Sequence, residues 1–164
     1  MAFSVSSPAA NSAQVARLLH RRDCQFCDLS NANLSGKFLK RAALQGANLS
    51  GANLGNAYLP KAILAEANLQ AAYLVKANLR DVDLRSANLQ GASLAQADLR
   101  NAYLRSANLE DADLTAAKLG GAVLDGAILC NTRMPDETVS YRDCPIMPAI
   151  SISEPLVPDS EIEN

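Results

Sequence analysis

The stretch Ala47-Asn48-Leu49-Ser50-Gly51-Ala52-Asn53-Leu54-Gly55-Asn56 sets a beat of five residues that governs most of this 164-residue chain. Leu returns at every fifth position from Leu29 through Leu34 to Leu129, in 21 consecutive pentads. Ala stands two positions before each Leu in 18 of the 21, with Cys27, Lys37 and Val82 as the exceptions. Internal repetition of this length decides the architecture before any local propensity is weighed.

A period of five excludes the two ordinary elements. On an α-helix, successive fifth residues point about 140° apart, so the Leu column never forms a face. On a flat strand, positions i and i+5 fall on opposite sides of the sheet. A coil that turns a corner every five residues fits. Four corners close a square of twenty residues, which stacks on the next coil at about 4.8 Å. Leu and the Ala two positions earlier then point inward, and the other three residues face solvent. The predicted core includes Leu29, Leu34, Leu49, Leu69, Leu89, Leu109 and Leu129 in one slot, with Ala47, Ala67, Ala87 and Ala107 in the other. Asn, Asp or Ser precedes Leu in 12 of the 21 pentads, and Gly, Asn, Ser or Asp recurs two positions after it, as repeated tight turns require. Trp is absent and Phe plus Tyr number only seven, as a narrow Leu/Ala interior implies.

These A(N/D)LXX units, such as Ala47 to Gly51 and Ala107-Asn108-Leu109-Glu110-Asp111, resemble the pentapeptide repeat family across residues 27–131. The resemblance implies an all-β fold, a right-handed quadrilateral β-helix, on which different members carry different activities. At the strand spacing, about five coils make a rod some 26 Å long.

The expected organisation is a flexible N-terminus over 1–11, a helical cap over 12–26, the β-helix over 27–131, a C-terminal cap segment over 132–144, and a mobile acidic, Pro-containing tail over 145–164. The cap helix is predicted from Ser12 as N-cap to Arg22, with Val15, Leu18 and Leu19 at helical spacing. His20, the sole histidine, is read as structural or solvent-facing. No apolar run suits a membrane span or a signal peptide, so a cytoplasmic location and free thiols are the expectation. Cys24 and Cys27 form a C-x-x-C pair that lacks two further zinc ligands nearby, and packing is favoured over redox chemistry. In an oxidising compartment a Cys130–Cys144 bridge would close a loop of about 14 residues and contribute roughly 3 kcal/mol. This bracketed ending also resembles a closing segment of cyanobacterial members of the family.

Sorting the charges by face narrows the function. The face of residues 37–41, 57–61, 77–81, 97–101 and 117–121 holds Lys37, Lys40, Arg41, Lys61, Arg80, Arg100 and Lys118 against Asp81 and Asp98, a surplus of five, or four without an inward-pointing Lys37. The opposite face, which begins at 27–31, carries Asp28, Glu110 and Asp111 alone. Some members of the resembled family mimic DNA and bind DNA gyrase or topoisomerase through a dense acidic surface. Residues 27–131 carry nine acids and ten bases, so that alternative is disfavoured. Lys40, Arg41, Lys61, Arg80, Arg100 and Lys118 are the candidate partner-binding face for an acidic macromolecule. The plainer reading, preferred here, pairs the arginines with Asp81, Asp83 and Asp98 in a solvated network. A further candidate is the outward column Ala43, Ile63, Asp83, Tyr103 and Val123, which the tail could cover. One histidine and no phosphate-cradling loop give enzyme chemistry, cofactors and metals no foothold. The expectation is a non-catalytic, rigid scaffold that binds an unidentified protein, with no nucleic-acid or membrane partner, as a monomer or weak homodimer.

Overall fold

The structure, a computed structural model, describes residues 8–145. Its backbone repeats every twenty residues: nineteen one-residue parallel bridges among the described residues join position i to i+20, from Asp23–Ala43 to Asp113–Arg133. The bridging residues are the outward ones before Leu, with Asp23 before Cys24 and Arg133 before Met134 at the two ends, so the same five-residue step that writes the sequence also writes the ladder.

Hydrogen bonding accounts for all five N–H groups of a pentad. In the unit Ala47–Gly51, Asn48 donates down to the Cys27 carbonyl (2.8 Å), while Leu49 and Gly51 donate up to Asn68 (2.7 Å) and Gln70 (2.9 Å). Across the preceding corner, Ala47 donates to the Leu44 carbonyl (3.0 Å). The remaining N–H, on Ser50, is taken by the side chain of Asn48 (3.2 Å to Oδ1). The same short reach recurs at Asn68–Gln70, Asn88–Gln90 and Asn108–Glu110. This is the physical reason for Asn or Asp before Leu: without it one backbone donor per corner has no partner in the protein.

Each corner places its third residue at positive φ, as a turn of the type II class demands. From Phe26 to Asn131 there are 22 such positions in unbroken succession, six of them Gly. The others include Arg41, Lys61, Ala71 and Ala116, residues for which the left-handed region costs about 1 kcal/mol. Gly46 has a second reason besides its φ of 62°, since a Cβ there would stand 2.5 Å from the Phe26 ring.

The interior is one continuous column of Leu and Ala, nearly all with no solvent exposure, and Val82 is accepted in an Ala slot at 0%. Lys37 departs from the inward position expected of it and is exposed. The position twenty residues earlier belongs to a helix, so no coil lies beneath this corner, and a long aliphatic stem can leave at the open end.

That helix, α1, spans Pro8–Arg21. It begins before Ser12, which therefore sits inside it and is not its N-cap; Pro suits a first helical turn, and the Ala pair after it favours continuation. Residues 8–11, expected to be loose, are thus helical, and residues 1–7 lie outside the described part. Leu18 joins the coil's core at 0% exposure, Val15 packs beside it, and the Gln14 side chain accepts the Asp28 N–H. His20 is exposed. At the far end, β1 (Thr132–Arg133) pairs antiparallel with β2 (Val139–Ser140). Thr132 fills an Ala slot, donating its hydroxyl to the Leu109 carbonyl (2.7 Å), and Arg133 still bridges Asp113. The tail expected from 145 onward lies, beyond Pro145, outside the described residues.

The cysteines are not free thiols. Cys24 is bonded to Cys27 and Cys130 to Cys144, with Cα separations of 5.2 and 4.6 Å. The repeat explains the first pair: Cys24 stands five residues before Leu29 in the Leu column and Cys27 in the Ala column, so both point inward across one corner.

Candidate functional site

On the face of residues 37–41, 57–61, 77–81, 97–101 and 117–121, the outward column reads Phe38, Tyr58, Asn78, Asp98 and Lys118 from the α1 end upward. Beside it runs the corner column Lys40, Pro60, Arg80, Arg100 and Gly120, followed by Arg41, Lys61, Asp81, Asn101 and Gly121 at positive φ. The square coil therefore brings Lys40, Arg41, Lys61, Arg80, Arg100 and Lys118 onto one side of the rod.

Neutralisation on that side is uneven. Arg100 grips Asp98 with two bonds, Nε to Oδ1 at 2.8 Å and Nη2 to Oδ2 at 2.6 Å. Hydrogen bonding from Arg100, aided by the nearby Arg80 charge, holds the Asp98 carboxyl below its ordinary range. Asp81 accepts from Asn101 (3.2 Å). Arg80 uses its backbone N–H on Asn78 (3.3 Å). Among the described residues, Lys40, Arg41, Lys61 and Lys118 form no ion pair.

The α1 end of this face holds a feature that charge sorting did not find. Phe38 and Tyr58 are stacked, with ring centroids 4.7 Å apart and planes 13° from parallel, and the Arg22 guanidinium lies 5.3 Å from the Phe38 centroid. Both rings are exposed, at 56% and 36%. Their spacing of twenty residues was the available signal, since it puts them in one column. The surface here combines aromatic edges with Arg22, Lys37, Lys40, Arg41 and Lys61.

A neighbouring face carries a groove of about 430 Å³ lined by Asp83, Arg85, Tyr103, Arg105 and Val123. It contains part of the predicted apolar column, with Tyr103 51% exposed. Arg85 closes on Asp83 through two bonds (2.8 and 2.6 Å), which lowers the Asp83 carboxyl in the same way as at Asp98. Arg105 reaches Asp125 at 3.3 Å. The groove's two bases are thus each matched by an acid. Among the described residues, no three His, Cys, Asp or Glu side chains group as metal ligands would, and no helix is long and apolar enough to cross a membrane.

Comparison with known families gives a match to the model for pentapeptide repeats, in eight copies over residues 23–59, 62–101, 84–119 and 107–135. The chain belongs to the pentapeptide repeat family. A solved pentapeptide repeat protein from the cyanobacterium Cyanothece 51142, Rfr23, is 31% identical over 68% of this chain and 92% of its own, with a TM-score of 0.44. HetL from Nostoc sp. strain PCC 7120, described as involved in heterocyst differentiation regulation, is 30% identical over 72% and 76% of the two chains, with a TM-score of 0.32. QnrB1, a plasmid-mediated fluoroquinolone resistance protein, aligns with a TM-score of 0.55 and 20% identity over 67% of this chain and 62% of its own. At that identity the likeness speaks for the fold alone. No curated protein matches the sequence. The pentapeptide repeat fold is a right-handed β-helix, and the squared twenty-residue coil described above is how this member builds it.

Proposed function

We propose that this pentapeptide repeat protein is a non-catalytic, rigid interaction scaffold whose working surface is the basic face. α1 closes the coil at one end and residues 132–144 close it at the other, so that both terminal coils are kept from pairing with other chains. The observation that carries the reading is the uneven neutralisation: Asp98 satisfies Arg100, while Lys40, Arg41, Lys61 and Lys118 lack an acidic partner among the described residues. Like charges held at the pitch of a coil repel one another, and an acidic partner relieves that repulsion. Gyrase binding by DNA mimicry needs the opposite sign of charge. Two disulfides fit an oxidising environment, and a cytoplasmic address with reduced thiols does not account for them.

The test is affinity capture by the wild type and by Lys40→Glu/Lys61→Glu/Lys118→Glu, at about 0.05 M and 0.3 M salt, which brackets the range where surface charges become screened. A partner held by the wild type, released by salt and lost on charge reversal is the expected result. Equal retention by both proteins overturns the basic face as the working surface. Arg100 is left alone because a carboxylate there would face Asp98 and disturb the fold.

A further inference from the structure

Resting on that reading of the basic face, we propose that its seat is the three coils nearest α1, floored by Phe38 and Tyr58, and that the partner presents an acidic amphipathic helix to it. The coil itself does not call for rings there. In the same column Asn78 and Asp98 cap the corner N–H groups of Arg80 and Arg100 (3.3 and 3.4 Å), and an aromatic ring makes no such bond. Beside Tyr58 the corner residue is Pro60, which has no N–H to cap. Exposed cations flank the rings on both sides of their column: Lys37 and Lys76 precede it, and Lys40, Arg41, Lys61 and Arg80 follow it. Among the described residues none of these six forms an ion pair. The one acid within 37–41, 57–61 and 77–81 is Asp81, which accepts from Asn101.

The rings select the chemistry of the partner, and the coil pitch selects its shape. Phe38 and Tyr58 stack on each other, and Arg22 lies over Phe38, so the rings offer solvent chiefly their edges. Ring edges carry the positive end of the quadrupole and favour carboxylates. Nucleic-acid bases require a free ring face to stack upon. An acidic polypeptide therefore fits this surface better than a nucleic-acid strand does. Lys40, Lys61 and Arg80 recur once per coil, at about 4.8 Å. Carboxylates at i, i+4 and i+7 of a helix are about 5 Å apart along its axis, so the two series part by only about 1 Å over two coil steps. Alternate residues of an extended strand are about 6.8 Å apart and part by about 4 Å over the same distance. A helix of about 14 residues, some 21 Å long, also reaches from Lys40 to Lys118, a span of about 19 Å at the strand spacing. The groove at Tyr103 is a poorer seat for acidic side chains, because Arg85 and Arg105 already hold Asp83 and Asp125.

The experiment titrates the full chain into two fluorescein-labelled, Ala-rich peptides of about 14 residues and identical composition, each with one Leu and four Glu. In one the Glu stand at i, i+4, i+7 and i+11; in the other they stand at alternate positions. Fluorescence anisotropy at about 0.05 M salt reads the affinities. The helically spaced peptide is expected to bind about tenfold more tightly, to gain helical circular dichroism on binding, and to be released at about 0.3 M salt. Phe38→Asn/Tyr58→Asn should weaken it about fivefold; this variant keeps the coil, because it places in the column the residue that already serves at Asn78. Lys40→Glu/Lys61→Glu should abolish binding. Equal affinity for the two peptides, indifference to the ring variant, or tighter binding of a thymidine oligonucleotide of equal charge overturns the proposal. If the peptides fail while capture of a partner remains sensitive to Lys40, Lys61 and Lys118, this inference falls and the proposed function stands with a partner of another shape.

Discussion

Asn68 shows what one outward residue contributes. Its Oδ1 takes the Gln70 N–H (3.1 Å), and its Nδ2 reaches Asn48 in the coil below (3.4 Å). Asn68→Ala is expected to lower stability by about 1 kcal/mol, the usual net worth of one such bond, whereas Asn68→Asp keeps the acceptor and most of the stability; denaturant unfolding measures both. Asp98 adds a dependence on pH. Because Arg100 depresses its folded pKa below the unfolded value, the ionised pair stabilises the fold above about pH 4, and that contribution is lost as pH falls through the folded pKa. Asp98→Asn should flatten this acid limb in a pH series of thermal melts. Both roles were half visible in the sequence, where Asn, Asp or Ser before Leu already signalled turns. The donor being satisfied, one residue beyond Leu, emerges only once every backbone bond is placed.

The closing hairpin is held to the coil by more than its own two-residue strands. Thr132 is tied to Leu109, the Arg142 guanidinium donates to the Ala127 carbonyl (3.3 Å), and Cys130–Cys144 fastens the segment covalently. Cys130→Ser/Cys144→Ser is expected to cost about 3 kcal/mol on the loop-closure argument. In hydrogen exchange, protection should drop at residues 132–144 while the Leu29–Leu114 ladder keeps its protection. Reading elements from sequence was uneven for definable reasons. The α1 helix was legible from Val15, Leu18 and Leu19, but its start was not, because Ser12 as a cap competes with Pro8 as a first-turn residue. Free thiols were the expectation at Cys24 and Cys27, although counting back one pentad from Leu29 already places both side chains inside, across one corner from each other. Phe38 and Tyr58 were equally accessible by their spacing of twenty, yet sorting by charge alone passes over aromatic residues.

For the whole molecule, the pentad is the unit of folding and the coil is the unit of surface. Deleting residues 67–86 removes one coil and leaves every face in line. Deleting only 67–71 leaves the Leu and Ala columns intact but turns all later residues by a quarter, separating Lys40 and Lys61 from Arg80, Arg100 and Lys118. Both variants are expected to show β-helical circular dichroism and cooperative melting, and only the quarter-turn variant should lose charge-dependent capture. The ladder has one more consequence for the molecule as a whole. Between neighbouring coils each pentad sends two N–H groups towards the C-terminal end, as Leu49 and Gly51 do, and one back, as Asn68 does to the Ala47 carbonyl. One peptide dipole per pentad is therefore unopposed, and these add along the rod. The pentapeptide coil is an electrically polar object, negative at its first turn and positive at its last. Arg21, Arg22, Lys37, Lys40 and Arg41 cluster at the negative end, where the backbone's own field steadies their charge.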